Sequence, residues 1–404
     1  MKYNKKKLFI EGVSVLNITN KFGTPAYCYS YSKLKENINN FKENFRSFSP
    51  LICFSVKSNT NVNLIREIKK FGLGADVVSK GELMMALKAG INPNKIVFSG
   101  VGKTSEEINF AIEKKILLIN AESKSEIEVI NKIAKQKKKV VDVGIRLNPN
   151  TDAKTLKQIS TGRSENKFGV NSKVFYELVN YCKNSKNINL HCLSVHIGSQ
   201  ILDHKPYEKM LGAVSSIIRK TQHEFKFVDL GGGMGISYND KIKELNYKKY
   251  NSAIKKFLKK HNTKIIFEPG RSIIGNTGVL ISKIIYIKDS GAKKFVILDA
   301  AMNDLMRPAL YGAVHKILPA QRTNSISKKI YEFVGPICES TDKFVALKKY
   351  QKLREKDFVA ICDVGAYGMS LSSNYNLRPK AVELLVNGRK IKKIKNRQKH
   401  IDLF

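Results

Sequence analysis

Between about residues 32 and 270 the chain alternates two textures. Short apolar runs occupy 51–57, 73–77, 95–99, 116–120, 140–147, 190–197, 225–230 and 263–268, and they have the composition of buried strands. Between them, apolar residues recur every three or four positions at 60–71, 79–90, 104–114, 123–135, 171–183, 203–220 and 244–261, which predicts amphipathic helices. In 60–71, Val62, Leu64, Ile65, Ile68 and Phe71 form one stripe. Lys69 and Lys70 sit where the helix dipole favours cations, and Gly72 is a stop signal. Strands separated by helices predict a parallel sheet. This number of repeats favours closure into a (β/α)8 TIM-like barrel over 31–275 rather than an open, doubly wound sheet.

Beyond about residue 275 the texture changes. Segments 278–288, 294–298, 330–334, 358–362 and 381–387 are short, β-branched or aromatic, and divided by turn residues. They predict an all-β domain over 276–404. The strand-like runs Val13–Leu16 and Ala26–Tyr29 lie in residues 1–30, which are expected to complete that domain.

Composition changes this picture little. A length of 404 residues suits two domains, and 42% hydrophobic residues suffice for real cores. The net charge of +38, from 72 basic and 34 acidic residues, raises nucleic-acid binding as a candidate. The excess is mostly lysine, dispersed among asparagine and isoleucine, which suits a compositional bias better than a recognition surface. Without zinc-finger spacing, a basic zipper or an aromatic-plus-arginine platform, no specific nucleic-acid partner is expected, only salt-sensitive attraction to polyanions. Cys28, Cys53, Cys182, Cys192, Cys338 and Cys362 form no CxxC pair and no zinc spacing, so no metal is expected. The basic N-terminus has too short an apolar run for a signal peptide, and no segment is long enough to span a membrane. A cytoplasmic protein with reduced thiols is the expectation.

The polar residues that interrupt the apolar runs gather where strands end: Lys57, Asp76, Arg146 with Asn148, His196, Asp229 and Glu268. Barrel active sites lie on that face. Lys57 finishes the run Leu51–Val56, where an ammonium group is costly unless something uses it. A desolvated lysine loses its proton readily and can condense with an aldehyde cofactor as a Schiff base. The plainer reading is a strand-end lysine whose tip reaches water.

Other motifs carry similar pairs of readings. Gly231-Gly232-Gly233-Met234-Gly235 follows an apolar strand and offers bare amides for a phosphate, or makes a tight barrel turn. It lacks the later acidic residue of a dinucleotide fingerprint. His196 suits a ring stacked on a flat cofactor or a hydrogen-bonded core group, and Ser199 could reach a phosphate. Glu268-Pro269-Gly270-Arg271 sets a carboxylate beside an arginine, as a plain ion pair or as ligands for different parts of a substrate. A carboxylate beside a pyridine nitrogen would keep the ring an electron sink. Cys338, next to Glu339 and near Asp342, suits a proton donor more than a core filler. Tyr375 lies in a second loop, after the glycine-flanked Tyr367. Arg307 and Tyr311 share one helical face at four-residue spacing, and Arg307 with Arg271 could grip a carboxylate in bidentate fashion.

Together and in this order, from Phe22-Gly23-Thr24-Pro25 to about Lys380, the chain resembles the fold-type III pyridoxal-phosphate-dependent decarboxylases, most of all the branch acting on meso-2,6-diaminoheptanedioate (meso-diaminopimelate). The resemblance implies pyridoxal 5'-phosphate as cofactor, linked to Lys57. It implies His196 stacked on the ring, Glu268 at the ring nitrogen, and Asp76 and Arg146 in support. Ser199, Gly231, Gly232, Gly233, Pro269, Gly270, Arg271 and Tyr375 are implied around the phosphate. Arg271, Arg307, Tyr311 and Tyr375 would meet the substrate, with Glu339 at its distal ammonium and Cys338 as proton donor. It also implies a homodimer whose subunits share active sites, and a reaction yielding L-lysine and carbon dioxide, the last step of lysine biosynthesis.

Three alternatives compete. Ornithine, arginine or carboxynorspermidine decarboxylases share the fold, but their substrates lack a distal amino-acid centre and leave paired arginines plus Glu339 with less to bind. An amino-acid racemase on a similar barrel does not explain Glu339. A non-catalytic pyridoxal-phosphate carrier or a polyanion-binding protein leaves the β domain or the strand-end residues without a reason.

Overall fold

The computed structural model describes residues 1–153, 155, 157–163, 165–238 and 244–404. The described chain separates into two compact units. One runs from Ile38 to Ile236 and adds the stretch ending at Ile273. The other holds Met1–Asn37, Ile274–Phe404 and the short piece that begins at Ser237.

In the first unit, strands β1 (Leu51–Ser55), β2 (Gly74–Val77), β3 (Ile96–Phe98), β4 (Leu118–Ala121), β5 (Val141–Leu147), β6 (Ile188–Val195), β7 (Phe227–Asp229) and β8 (Lys264–Phe267) form a closed barrel. Every neighbouring pair is parallel, and β8 returns to β1 with Ile266 opposite Leu51 and Phe267 opposite Ile52. Helices Val62–Lys69, Lys80–Lys88, Ser105–Glu113, Lys124–Gln136, Ser172–Lys183, Lys205–Thr221 and Tyr247–Leu258 occupy the intervening segments.

The two-residue repeat of a strand explains the barrel's interior. Cys53, Val97, Leu118, Cys192, Phe227 and Ile266 pack together as an apolar plug. Two residues further along the same strands, on the same face, stand Ser55, Ser99, Asn120, Ser194, Asp229 and Glu268, all buried. Strands β2 and β5 follow the same rule with Gly74 and Asp76, and Gly144 and Arg146. A Cβ on Gly144 would lie 2.0 Å from Asn120 Oδ1, so the bare glycine makes room for that amide. The barrel is therefore filled by hydrocarbon below and lined by polar groups above.

Helix Tyr31–Phe45 is an addition to the segments expected from periodicity. Its stripe of Leu34, Ile38, Phe41 and Phe45 is buried. The Phe45 ring lies tilted at 4.7 Å from Phe267 and edge-on at 5.8 Å from Tyr250, which seals the β8 side of the barrel.

The second unit is a mixed sheet. Its main path runs Lys343–Leu347, Ile330–Val334, Lys293–Leu298, Gly278–Ser290, Ala26–Ser30, Val382–Asn387 and Lys390–Lys395, while Phe358–Ile361 pairs with Gly278–Ser290 and with Ile317–Pro319. Ala26–Ser30 lies between Gly278–Ser290 and Val382–Asn387, so the N-terminal segment is built into this sheet. A smaller sheet joins Lys2–Asn4, Lys7–Ile10 and Val13–Ser14. The expected strand Val13–Leu16 is thus cut short. Ser14 Oγ accepts the amide of Asn17 and starts helix Val15–Phe22, whose Val15 and Ile18 share a buried face. Among the described residues no helix is long and apolar enough to cross a membrane, and no His, Cys, Asp and Glu group is placed to hold a metal ion.

Candidate active site

Strand β1 ends at Ser55, two residues before Lys57, and a single 3-10 turn, Val56–Ser58, carries the lysine out of the sheet. The expected buried strand-end ammonium is corrected accordingly. The Lys57 side chain is 37% exposed, and Nζ lies 3.0 Å from Asp76 Oδ2. Asp76 comes from β2 and is fully buried. Its Oδ2 also accepts the Ser55 hydroxyl, while Oδ1 has no hydrogen-bond partner among the described residues. The Lys57 amine is thus aimed by a carboxylate rather than stripped of water.

On the other side of β1, strands β7 and β8 place two buried carboxyl groups together. Burial, and then the negative charges of Asp229 and Asp76, hold the Glu268 carboxyl well above the usual range. Asp229 is pushed up to about 6 by burial. Asp229 accepts Gly231 N–H at 2.9 Å and Asn120 Nδ2 at 3.1 Å, whereas Glu268 Oε1 accepts the Ser99 hydroxyl at 3.1 Å. With more N–H donors on Asp229, the proton resides on Glu268, which donates to Asp229. Ser99 and Asn120 escaped the sequence reading, although both stand two residues beyond an apolar plug residue.

His196 follows β6. Burial, with the positive charges of Arg146 and Lys57, keeps its imidazole well below the usual histidine range. Its Nδ1 accepts Gly232 N–H at 3.2 Å, which leaves the proton on Nε2. The glycine run is foremost a turn between crowded strand ends. Gly231 and Gly233 have φ of +64° and +89°, and a Cβ on Gly232 would fall 2.1 Å from the Glu268 carbonyl oxygen. Pro269 accepts Ser55 N–H at 3.1 Å, and Gly270 lets that turn rest against Ser58. Arg271 is buried and its Nη2 donates to Ser199 Oγ at 3.0 Å, so Ser199 and Arg271 are brought together.

Arg146 is buried at the end of β5 with its guanidinium 4.8 Å from the Phe168 ring. Its Nη1 donates to Glu122 Oε1 at 2.9 Å. Glu122 also accepts Gly100 N–H and Gly169 N–H, each at 3.0 Å. Behind it, Glu126 accepts both Glu122 N–H and the Lys103 ammonium, whose side chain is wholly buried. Lys103 places its remaining donors on the carbonyls of Gly100 and Asn120. Sequence reading passed over Glu122 and Lys103 because both sit in ordinary charged stretches.

The other candidates belong to the sheet unit. Arg307 and Tyr311 begin and end the one-turn helix Arg307–Tyr311. Arg307 is buried, its Nη1 2.9 Å from His315 Nε2 and its guanidinium 4.7 Å from the Tyr238 ring. Cys338 is exposed, unlike the other five cysteines, and its N–H donates to Asn376 Oδ1 at 3.1 Å. Glu339 accepts the Thr341 hydroxyl at 2.9 Å and a hydrogen bond from Tyr375, which raises the tyrosine and lowers the carboxyl. Asp342 anchors the loop instead, taking Met302 N–H at 2.7 Å and Ile337 N–H at 2.8 Å. Cys338, Glu339 and Tyr375 therefore share one exposed cluster. Arg271 and Arg307, expected as a pair, lie in different units, each fixed by its own partners.

Residues 31–275 match the family model described as pyridoxal-dependent decarboxylase, pyridoxal binding domain, so the chain belongs to the pyridoxal-dependent decarboxylases. Diaminopimelate decarboxylase of Aquifex aeolicus is 41% identical over 406 residues, covering 99% of this chain and 95% of the relative. The crystal structure of diaminopimelate decarboxylase from Helicobacter pylori complexed with L-lysine superposes with a TM-score of 0.91 at 40% identity, over 96% of this chain and 98% of that one. That of diaminopimelate decarboxylase from M. jannaschii in co-complex with L-lysine gives 0.94 at 34% identity, over 100% and 96%. Within the class, this chain is a member of the diaminopimelate decarboxylase family.

The donor set fits pyridoxal 5'-phosphate. It offers a primary amine steered by a buried carboxylate, a buried carboxyl able to give up a proton, a neutral aromatic ring, and a hydroxyl held by an arginine beside glycine-rich turns.

Proposed function

We propose that the chain decarboxylates meso-2,6-diaminoheptanedioate to L-lysine and carbon dioxide, and that the residues above divide the work. Pyridoxal 5'-phosphate supplies an electron sink for the carbon that loses its carboxylate. Lys57 holds the cofactor through its amine, with Asp76 fixing where that amine points. Glu268, whose carboxyl holds its proton, would sit at the ring nitrogen and keep that nitrogen a cation. His196 gives the ring a neutral face to rest on. A charged imidazole there would oppose that cation. Arg146, held by Glu122, supports the same side. Ser199, Arg271 and the turns Gly231–Gly233 and Pro269–Gly270 hold the phosphate.

Arg307 and Tyr311, with Arg271 and Tyr375, are assigned to the carboxylate of the distal, L-configured centre, and Glu339 to its ammonium. Selection of the D-configured end for reaction follows from gripping the L-configured end. Cys338 returns the proton to the reacting carbon. The protein acts as a cytoplasmic homodimer in which the loop bearing Cys338 and Glu339 serves the partner subunit's site.

The observation that supports this reading most is the pairing of opposites within one barrel: a lysine amine held by Asp76 and a Glu268 carboxyl that keeps its proton. Product analysis tests it. The cofactor-loaded protein given meso-diaminopimelate should release lysine of L configuration and carbon dioxide in equal amounts. Racemic or D-lysine would contradict the assigned choice of end.

A further inference from the structure

Arg307 owes its orientation to a histidine. His315 is 2% exposed, and its two ring nitrogens are both engaged: Nε2 lies 2.9 Å from Arg307 Nη1, and Nδ1 lies 2.8 Å from the Cys362 carbonyl oxygen. A guanidinium has no acceptor and a carbonyl oxygen has no proton. Only one arrangement satisfies both contacts: a neutral ring with its proton on Nδ1, donated to Cys362, and a bare Nε2 that accepts from Arg307. Tyr238 completes the mount. Its ring lies under the guanidinium at 4.7 Å and meets the His315 ring edge-on at 5.3 Å. With one Nη1–H bond and the plane both set, the directions of the remaining guanidinium N–H groups are set too.

We propose that His315 is a positioning residue for substrate recognition: through Arg307, it fixes the direction in which the protein grips the distal carboxylate of its substrate. The inference rests on the assignment of Arg307 to that carboxylate. A planar carboxylate rewards donors held in the right plane, because orientation is then settled before binding rather than during it. His315 is assigned to act through Arg307 rather than on the cofactor or the reacting carbon, so its effect belongs in KM rather than kcat.

Two isosteric variants separate positioning from bracing. The amide of His315→Asn overlays Nδ1 and keeps the donor to Cys362 but loses the acceptor for Arg307. The amide of His315→Gln overlays Nε2 and keeps that acceptor. In the cofactor-loaded protein, His315→Asn should raise KM for meso-diaminopimelate about 10- to 100-fold with kcat nearly unchanged, while His315→Gln stays within about threefold of the parent. Equal KM values in the two variants, or the reverse order, would overturn the proposal and leave His315 a brace for the backbone. Arg307→Gln is the reference. If it raises KM and neither His315 variant does, the positioning role fails alone. If it leaves KM unchanged, the assignment of Arg307 fails and the positioning role with it. Should the variants not fold, ring nitrogen chemical shifts of the unaltered protein still decide: a proton on Nδ1 with Nε2 bare supports the proposal, and a proton on Nε2 overturns it.

Discussion

Neutrality is what the surroundings of His196 demand. Burial and the nearby charges of Arg146 and Lys57 oppose a proton on its ring, and Gly232 N–H occupies Nδ1. The folded pKa lies below the ordinary value of about 6.5, so below that pH the unfolded chain binds a proton that the folded chain refuses. Unfolding free energy should therefore fall as pH drops through that value, by at most about 1.4 kcal/mol per pH unit from this residue. Denaturant unfolding of the parent and of His196→Asn, compared between neutral and acidic pH, checks this. The parent should lose more stability than the variant, and parallel curves would contradict it. Lys57 teaches the complementary lesson. Its candidacy was legible in the sequence, because a lysine closing an apolar run asks for a reason. Its surroundings were not legible, because the turn at Val56–Ser58 and the distant Asp76 decide them.

At the scale of elements, short apolar runs alternating with amphipathic helical stripes made the barrel readable. In the folded barrel each strand supplies an apolar residue or glycine and then, two positions on, a polar one, and the polar set lines the candidate site. What escaped were elements whose signal is weak in isolation. Strand Lys390–Lys395 is mostly lysine because it lies at a sheet edge, where charge deters further pairing. Asn120, Ser99 and Glu122 carry no motif, and only closure of the barrel brings them to Asp229, Glu268 and Arg146. The glycine turn gives a direct check. A Cβ on Gly232 would meet the Glu268 carbonyl oxygen at 2.1 Å, whereas Gly212, in helix Lys205–Thr221, has nothing within 4 Å of that position. Gly232→Ala should destabilise the protein by about 1–3 kcal/mol and weaken cofactor binding. Gly212→Ala should be neutral or stabilising by up to about 1 kcal/mol. Urea unfolding of both variants measures the contrast, and equal effects would contradict the crowding at Gly232.

On the scale of the whole molecule, similarity to diaminopimelate decarboxylases extends over 99% of the chain, so it includes both units rather than the barrel alone. The proposed homodimer makes a specific demand. Lys57→Ala and Cys338→Ala should each be inactive alone, and Lys57→Ala should also lose the visible absorbance of bound cofactor. If Cys338 serves the partner's site, mixing the two under conditions that allow subunit exchange should restore up to about a quarter of parental activity, since hybrid dimers form about half the time and carry one intact site each. A mixture that exchanges subunits and stays inactive would remove the shared site.

The most direct measurement is carbon dioxide release from meso-diaminopimelate, ornithine and arginine, side by side, by the cofactor-loaded protein. Release from diaminopimelate, with the two single-headed amino acids left essentially untouched, is the predicted result. Turnover of ornithine or arginine in preference to diaminopimelate would contradict the grip on a second amino-acid centre.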